Sequence, residues 1–318
     1  MPSGSYLISM AIAVAMSAVA FFVGMPSPGT ADAGICIHSV NLWGIAPIAA
    51  WALNIALALA LSIGLRFANK AYSFVPGSET PLPGLFLVLF ASNTWISGPL
   101  TSSVILAAAN LICLSTLFSC FRQNNATQET FVIATILSLG SMFQYAFAFM
   151  IPVYIIAGIM LKCFRLREAV AMILGLVAPY WVAVGLGIVP VENFHLPKFE
   201  NLFDGYISKA DLFTGLLNCA FTLVLSLILA LNNIVKLYSG NSRRRLFNMA
   251  MLVLAVACAV CMILDFNNIT AYLATVYMVT AVQIANLLSL FNIRRPAIWI
   301  AVIEAVYVAL FVLMLSFS

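Results

Sequence analysis

One apolar stretch, residues 130–164, limits what this chain can fold into more than any other feature of its sequence. Arg122 precedes it, and basic residues stand at its far end at positions Lys162, Arg165 and Arg167. A single helix of that length would be about 50 Å long, whereas the hydrocarbon core of a bilayer is about 30 Å thick. Because basic flanks favour the cytoplasmic side, both ends are expected there. The stretch therefore predicts a tight helical hairpin that turns within residues 140–145.

The low charge content of the chain indicates a membrane protein. Of its 318 residues, 64% are hydrophobic and only 8% are charged, whereas about 25% of the residues of a soluble domain are charged. Such a chain cannot cover a surface that faces water. We therefore predict an all-α, polytopic transmembrane helix bundle with the lipid bilayer as its main partner. The net charge of +4 comes from basic residues concentrated in a few loops, so no nucleic-acid partner is predicted.

Eleven apolar runs are predicted to cross the membrane. They lie at about residues 6–25, 42–67, 82–96, 100–121, 130–144, 146–164, 169–189, 212–235, 247–264, 269–291 and 296–317. Twelve of the 14 basic residues lie in the loops after the even-numbered runs. This alternation predicts a cytoplasmic N-terminus, an outside C-terminus and an outer loop at residues 190–211. Since no repeat or linker divides the chain, residues 1–318 are predicted to form one membrane domain.

The motifs of the chain predict no cofactor. Six of the seven cysteines lie within or beside apolar runs, and Cys258 and Cys261 are expected to pack as small apolar residues. There is no phosphate-binding glycine loop and no dinucleotide fingerprint. His195 and the acidic residues of the outer loop offer an alternative metal or acid–base site, but their spacing matches no ligand pattern. Residues 31–33 resemble a signal-peptidase site, yet no basic residue precedes the first run, so we expect no cleavage.

Glu304 is the only acidic residue inside a predicted span. A charge at the bilayer centre costs roughly 2.5–3.5 kcal/mol on insertion scales, so such residues face the bundle interior. Glu304 either carries function or is a protonated acid that joins two helices by a hydrogen bond. Counted from Pro296, it lies about 12 Å deep, close to the level of Gln283. Because the last two runs are joined by a short connection, we expect them to be neighbours, with Glu304 hydrogen-bonded to Gln283 or Asn286.

Segment 93–103 is unusually polar for a membrane hairpin. Asn93 and Trp95 could line a pocket open to the outside, because non-helical backbone at membrane depth is tolerated only around cavities or inside protein. Alternatively, the segment is an ordinary turn at the membrane surface, with Trp95 in the aromatic belt. The sequence leaves both interpretations open.

Two further pairs of polar and aromatic residues are candidates. Gln144 and Tyr145 lie at the predicted tip of the hairpin, and Tyr180 and Trp181 follow Pro179 in the seventh run. A proline inside a helix frees a backbone carbonyl and bends the helix, either around a cavity or for packing alone. The predicted substrate-binding residues are therefore these four together with Asn93, Trp95, Gln283 and Glu304.

The turn after the hairpin carries a motif that resembles a known family. The chain reads Phe164-Arg165-Leu166-Arg167-Glu168, then Leu174-Gly175-Leu176 and Pro179-Tyr180. This resembles a family of uncharacterised multi-spanning inner-membrane proteins of the Bacteroidetes, with an Arg-rich turn, an Arg-Glu pair entering the membrane, and a glycine and a Pro-Tyr pair further on. The resemblance is best over residues 85–185, although Ala169 stands where the family has an aromatic residue. It implies a multi-pass protein of the bacterial inner (cytoplasmic) membrane and no established activity.

Three functions remain open on the sequence. The first is a membrane scaffold or a subunit of an envelope complex, because the spans contain few polar residues. The second is the handling of a lipid-linked, glycan-type substrate at the outer leaflet, because Asn93, Gln144 and Tyr180 all fall in the outer half. The third is a secondary transporter that uses Glu304, although the first, second and ninth runs are poor in the polar residues that a path would need. Partners would accordingly be other envelope membrane proteins or a lipid-linked substrate, and enzymatic activity is undecided.

Overall fold

The fold consists of α-helices throughout the part of the chain that the computed structural model describes: residues 4–24, 34–36, 46–75, 81–98, 100–121, 123, 125–190, 192, 194, 209–237, 242–265, 268–290 and 296–316. Twelve helices form within these residues, and no strand does. They are α1 (Gly4–Val23), α2 (Pro47–Tyr72), α3 (Leu82–Ala91), α4 (Thr94–Ser97), α5 (Ser102–Ser119), α6 (Thr127–Phe143), α7 (Ala146–Met160), α8 (Leu166–Gly185), α9 (Lys209–Leu237), α10 (Ser242–Leu264), α11 (Ile269–Leu290) and α12 (Pro296–Ser316). Eight of them are long and apolar enough to cross a membrane, so the chain is a multi-pass helical membrane protein.

The centre of the bundle is formed by α3 and α11, in which nearly every residue is buried. α1, α2, α8 and α12 instead expose large apolar side chains on their outer faces. A helix that is apolar on its exposed side is what a bilayer requires of a span. The most buried helices therefore mark the interior of the protein, where any polar group needs a protein partner.

The third predicted span, residues 82–96, is wrong as a single helix. The chain forms α3 and then the four-residue α4, with Ser92 and Asn93 between them. α3 has 10 residues and is therefore about 15 Å long, half the thickness of a bilayer core. Hydropathy could not reveal this, because an apolar run inside a bundle and one that faces lipid have the same composition.

The other ten predicted runs each coincide with one helix, and their ends differ by at most five residues. The largest differences are at α2 and at the start of α10. α2 begins at Pro47. Proline is favoured in the first turn of a helix. Arg66 and Lys70, the basic residues near the end of the second run, lie inside α2 rather than after it. Long basic side chains can reach the polar interface from within a helix. The number of crossings stays a prediction.

The central hairpin is confirmed. α6 stops at Phe143, Gln144 is extended (φ −152°, ψ 130°), and α7 begins two residues later. The carboxylate of Glu168, which lies beyond α7, accepts a hydrogen bond from the backbone N–H of Ala126, which lies before α6, at 3.2 Å. The start of α6 and the end of α7 therefore lie close together, so the chain must reverse at residues 144–145, within the predicted range.

The third helix of this region, α8, runs parallel to α6. Ser138 donates a hydrogen bond to the carbonyl of Leu176 at 2.6 Å, and the hydroxyls of Ser141 and Tyr180 lie 2.6 Å apart. The contact is close because position 175 is glycine, where a Cβ would lie 2.6 Å from the carbonyl oxygen of Phe131. The glycine of the family-like motif thus has a packing role.

The first two helices run in opposite directions, as alternating crossings require. The hydroxyl of Tyr6 lies 3.3 Å from that of Ser62, whereas the indole N–H of Trp51 donates to Ser17 at 3.1 Å. The beginning of α1 therefore lies beside the end of α2. Which end of each helix faces the cytoplasm stays a prediction from the charges of the loops.

Candidate functional site at a broken helix

The interruption between α3 and α4 consists of Ser92 and Asn93, and we call these two residues together with α4 the α3–α4 break. Ser92 keeps helical angles, and its hydroxyl donates to the carbonyl of Leu89 at 2.7 Å. Asn93 is extended (φ −105°, ψ 112°), and its side-chain oxygen accepts the backbone N–H of Trp95 at 3.0 Å, as an N-cap does. Both residues are completely buried. Non-helical backbone of this kind is tolerated in a membrane protein only inside protein or along a cavity.

Polar groups from α9 and α11 meet the break on one side. The side-chain amide of Asn93 donates to the hydroxyl of Tyr277 at 3.0 Å. That hydroxyl donates in turn to the side-chain oxygen of Asn218 at 2.9 Å. The amide of Asn218 donates to the carbonyl of Ser92 at 3.2 Å. The four residues form a closed ring of hydrogen bonds around the break.

Polar groups from α1 and α2 meet the other side of the break. The amide of Asn54 donates to the carbonyl of Ile96 at 2.8 Å. The hydroxyl of Ser17 donates to the carbonyl of Ser97 at 2.6 Å and accepts from the indole N–H of Trp51 at 3.1 Å. The carbonyls at the end of the short α4 are thus satisfied by two other helices, which fixes the broken segment between them.

Trp95 is buried inside the bundle and does not face lipid, so the aromatic-belt interpretation is wrong. Its side chain is 2% exposed. The indole lies against Gly215 of α9, where even a single Cβ would overlap the ring. The absence of a side chain at that position is what admits the indole into the interior.

Two hydroxyls of α4 are buried and have no hydrogen-bond partner among the residues that the structure describes. They belong to Thr94 and Ser97, one helical turn apart. Leaving a buried polar group unmet costs about 1–3 kcal/mol, so such groups usually bind water or a ligand. These hydroxyls are the candidate atoms for binding water or a solute at the break.

Glu304 lies on the buried face of α12 but does not have the predicted partner. It is 8% exposed, which confirms that it faces the bundle, and Ser9 of α1 donates to its carboxylate at 2.6 Å. One turn further along α12, the hydroxyl of Tyr307 donates to Thr222 of α9 at 3.2 Å. Thr222 in turn donates to the backbone carbonyl of Asn218 at 2.8 Å, which joins α12 to the ring around the break.

The predicted pairing of Glu304 with Gln283 or Asn286 is wrong. Gln283 accepts from the amide of Asn233 of α9 at 2.7 Å, and Asn286 donates to Asn248 of α10 at 2.8 Å. The physical reason is that a short connection does not oblige two helices to pack together. α12 packs against α1, α3 and α9.

The remaining predicted residues lie elsewhere. Gln144 and Tyr145 are buried at the hairpin tip, and Tyr180 bonds to Ser141 there. Trp181 is 77% exposed on the outer face of α8. These residues do not contact Asn93, whose side-chain amide is directed to Tyr277 and Cys219. The eight predicted residues therefore do not form one site.

Asp265, in the turn between α10 and α11, forms a small polar cluster of its own. The amide of Asn268 donates to both carboxylate oxygens, at 2.9 and 3.1 Å, and the hydroxyl of Tyr272 donates at 3.1 Å. Burial raises the pKa of the carboxyl, and these hydrogen bonds oppose the shift. The cluster ties the start of α11 to the end of α10.

Within the described residues there is no group of three or more His, Cys, Asp and Glu that could hold a metal ion. His195 and most of the outer loop 190–211 lie outside these residues, as do residues 31–33. A small apolar crevice is lined by residues such as Leu65, Leu114, Phe118, Met251, Met278 and Val282. The crevice therefore does not lie at the α3–α4 break.

No family model, no curated protein and no solved structure matches the chain. The resemblance to inner-membrane proteins of the Bacteroidetes stays a prediction.

Three residues that bond to the break, Asn54, Asn218 and Tyr277, were missed by sequence reasoning. A weak signal was present, since an asparagine inside an apolar run is costly unless it has a partner. The partners themselves lie more than forty residues away in sequence, as in the pairs Asn54–Ile96 and Asn218–Ser92. Only the packing of the helices reveals them.

Proposed function

We propose that this protein is a secondary transporter for a small polar solute, with the α3–α4 break as its binding element. The observation that carries the proposal is the break itself, enclosed by α1, α2, α9 and α11 and bonded to polar side chains of all four. In secondary transporters, discontinuous helices supply unwound backbone and helix ends to substrates and coupling ions near the midplane of the bilayer.

The polar interior favours transport over a passive scaffold. The scaffold hypothesis rests on the small number of polar residues in the spans, and the weakness of the transporter hypothesis is that the first, second and ninth runs are poor in them. Yet Ser17 and Asn54 of those helices both bond to α4. Hydrogen bonds between side chains in membranes contribute only about 0.6 kcal/mol on average. A buried polar ring is therefore a weak means of holding helices together, and it is better explained by binding.

Glu304 is the candidate for the proton-coupling group. It is the acid on the face of α12 that reaches the break through Tyr307 and Thr222. Acidic residues buried within spans commonly serve proton relays. Its bond to the hydroxyl of Ser9 gives the carboxyl a partner that can donate to the ionised form and accept from the protonated one.

The proposal is tested by the access of water to the break, which does not require the solute to be known. Ser97→Cys is made in the full chain after replacement of the native cysteines, with Val88→Cys of the buried face of α3 as matched control. Both positions are completely buried. A carrier that opens should allow a charged, membrane-impermeant thiol reagent to label Ser97→Cys from at least one side, and Val88→Cys should not react. Equal, negligible labelling of the two would favour the scaffold and end the transporter proposal.

A further inference from the structure

A row of buried polar side chains follows one face of α9 away from the break. Asn218, Thr222, Ser226 and Asn233 are all completely or almost completely buried. Their spacings of four, four and seven residues place them on one side of the helix. From the first to the last, the row is about 22 Å long. It is therefore long enough to lead from the middle of the bundle towards one membrane surface.

α11 faces this row with polar groups of its own. Tyr277 bonds to Asn218 at the break, and Gln283 bonds to Asn233 fifteen residues further along α9. The two helices therefore run parallel, with polar contacts at both ends of the row. Thr280, between these contacts on α11, is also completely buried. We call this α9–α11 interface the polar seam.

The polar seam ends near the basic start of α10. Asn286, one turn beyond Gln283, donates to Asn248 at 2.8 Å, and Asn248 donates to the backbone carbonyl of Arg244 at 3.1 Å. Arg244 belongs to the run Arg243-Arg244-Arg245. Such a run is predicted to lie on the cytoplasmic side. The seam thus connects the break with the predicted cytoplasmic end of the bundle.

Four polar atoms along the polar seam have no hydrogen-bond partner within the described part of the chain. They are the hydroxyl of Ser226, the side-chain oxygens of Asn233 and Asn286, and the side-chain nitrogen of Gln283. All four side chains are completely buried. Unmet buried groups of this kind are the usual binding points of internal water. Amides and hydroxyls can donate and accept, so they can hydrate or bind a neutral solute.

We propose that the polar seam is the cytoplasmic half of the transport pathway, through which water and an uncharged polar solute pass between the break and the cytoplasm. This inference rests on the proposed function. The side chains that form the seam are all uncharged. Because an unpaired charge is far more costly in a membrane interior than a hydrogen-bonding group, such a lining suits a neutral solute rich in hydroxyl or amide groups.

The test uses Ser226→Cys in the full chain without native cysteines, with Ile228→Cys as control. Ile228 lies on the same helix two residues away and is 53% exposed on the outer face. A membrane-impermeant thiol reagent is applied to inverted vesicles and to spheroplasts. We expect Ser226→Cys in inverted vesicles to react about tenfold faster than Ile228→Cys, because thiol reactivity follows access to water and ionisation. Asn233→Cys, on the same face, is the second variant in case Ser226→Cys does not fold.

The outcomes separate this inference from the transporter proposal. If Ser97→Cys is labelled but both seam variants are not, the seam is not the pathway and the transporter proposal stands. Labelling of the seam variants only from the outside also overturns the inference. If neither the break nor the seam is labelled from either side, both proposals fail together.

Discussion

Within the described residues, two apolar segments are interrupted: residues 130–164 at Gln144, between α6 and α7, and residues 82–96 at Asn93, between α3 and α4. At the first interruption the free backbone groups are met locally. The N–H of Gln144 donates to the carbonyl of Gly140 at 2.9 Å, and that of Ala148 donates to Tyr145 at 2.9 Å. At the second the N–H groups are also met locally, but the carbonyls of Ser92, Ile96 and Ser97 are met by side chains of three distant helices. A break that reverses the chain is self-contained, whereas the break inside the bundle depends on its surroundings.

The interruption at the hairpin determines the architecture of the chain, whereas the α3–α4 break concerns its proposed function. The hairpin of α6 and α7 follows from length and charge, and its removal would change the topology of the chain. The α3–α4 break changes nothing in the direction of the chain, yet it brings Asn218, Asn54 and Ser17 to one place. Polar groups are energetically costly in a membrane interior, so a cluster of them is expected to mark a binding site.

The largest expected effect concerns the hairpin and is all-or-none. A cytoplasm-specific reporter fused after Arg167 should be active, because the basic end of the hairpin stays inside. The same reporter after Lys198 should be inactive. Activity is measured in whole cells, normalised to the amount of fusion protein. An active fusion at Lys198 would overturn the assignment of sides for the whole bundle.

The next largest effect compares a distant partner with a local one. Asn218→Leu removes the donor to Ser92 and the acceptor of Tyr277, and it should lower the free energy of unfolding by about 3 kcal/mol by stranding buried groups. Ser141→Ala, at the hairpin tip, should cost only about 0.6 kcal/mol. Thermal unfolding in one detergent measures both. Equal costs would mean that the two breaks do not differ in the way described.

Two glycines sharpen the comparison further. A Cβ at Gly140 would overlap the ring of Phe147, and a Cβ at Gly215 would overlap the ring of Trp95. Gly140→Ala and Gly215→Ala should each cost about 2 kcal/mol through overpacking. Only Gly215→Ala should also change the rate at which Ser97→Cys is labelled, because only that ring lies at the break. A change of the rate by Gly140→Ala would contradict the separation of the two regions.

The smallest effect is expected at Glu304. Glu304→Gln should leave the unfolding temperature unchanged, because an amide can still accept the hydrogen bond from Ser9. Glu304→Leu should cost only about 1 kcal/mol, since the hydroxyl of Ser9 can turn to the carbonyl of Ser5, 3.1 Å away. In a double-mutant cycle, the cost of Glu304→Leu should be much smaller in the Ser9→Ala background than in the unmodified protein. An undiminished cost of Glu304→Leu in Ser9→Ala would show that the acid has another partner.

Much of the fold follows from the sequence, because hydropathy and the positions of basic residues are local properties. They predict ten of the helices to within a few residues and the reversal at Gln144. They do not predict which helices touch. Glu304 shows this most clearly: its depth was estimated along two spans, yet its partner Ser9 lies 295 residues away on the first helix.

For the same reason, only part of the candidate site was predicted. Asn93 and Trp95 stood out because they interrupt an apolar run. The residues that complete the site, Asn54, Asn218 and Tyr277, are isolated polar or aromatic residues in otherwise apolar runs. Their convergence depends on pairings across most of the chain, and no spacing within a single run encodes it.

Hydrogen–deuterium exchange of the unmodified protein in lipid nanodiscs tests the central claim most directly. The amides of residues 92–98 are compared with those of residues 85–91 of α3, which are equally buried. If the break opens to water during transport, its amides should exchange much faster than those of α3, because exchange reports local opening. Equally strong protection of both segments would contradict the account and leave the α3–α4 break as a static packing feature.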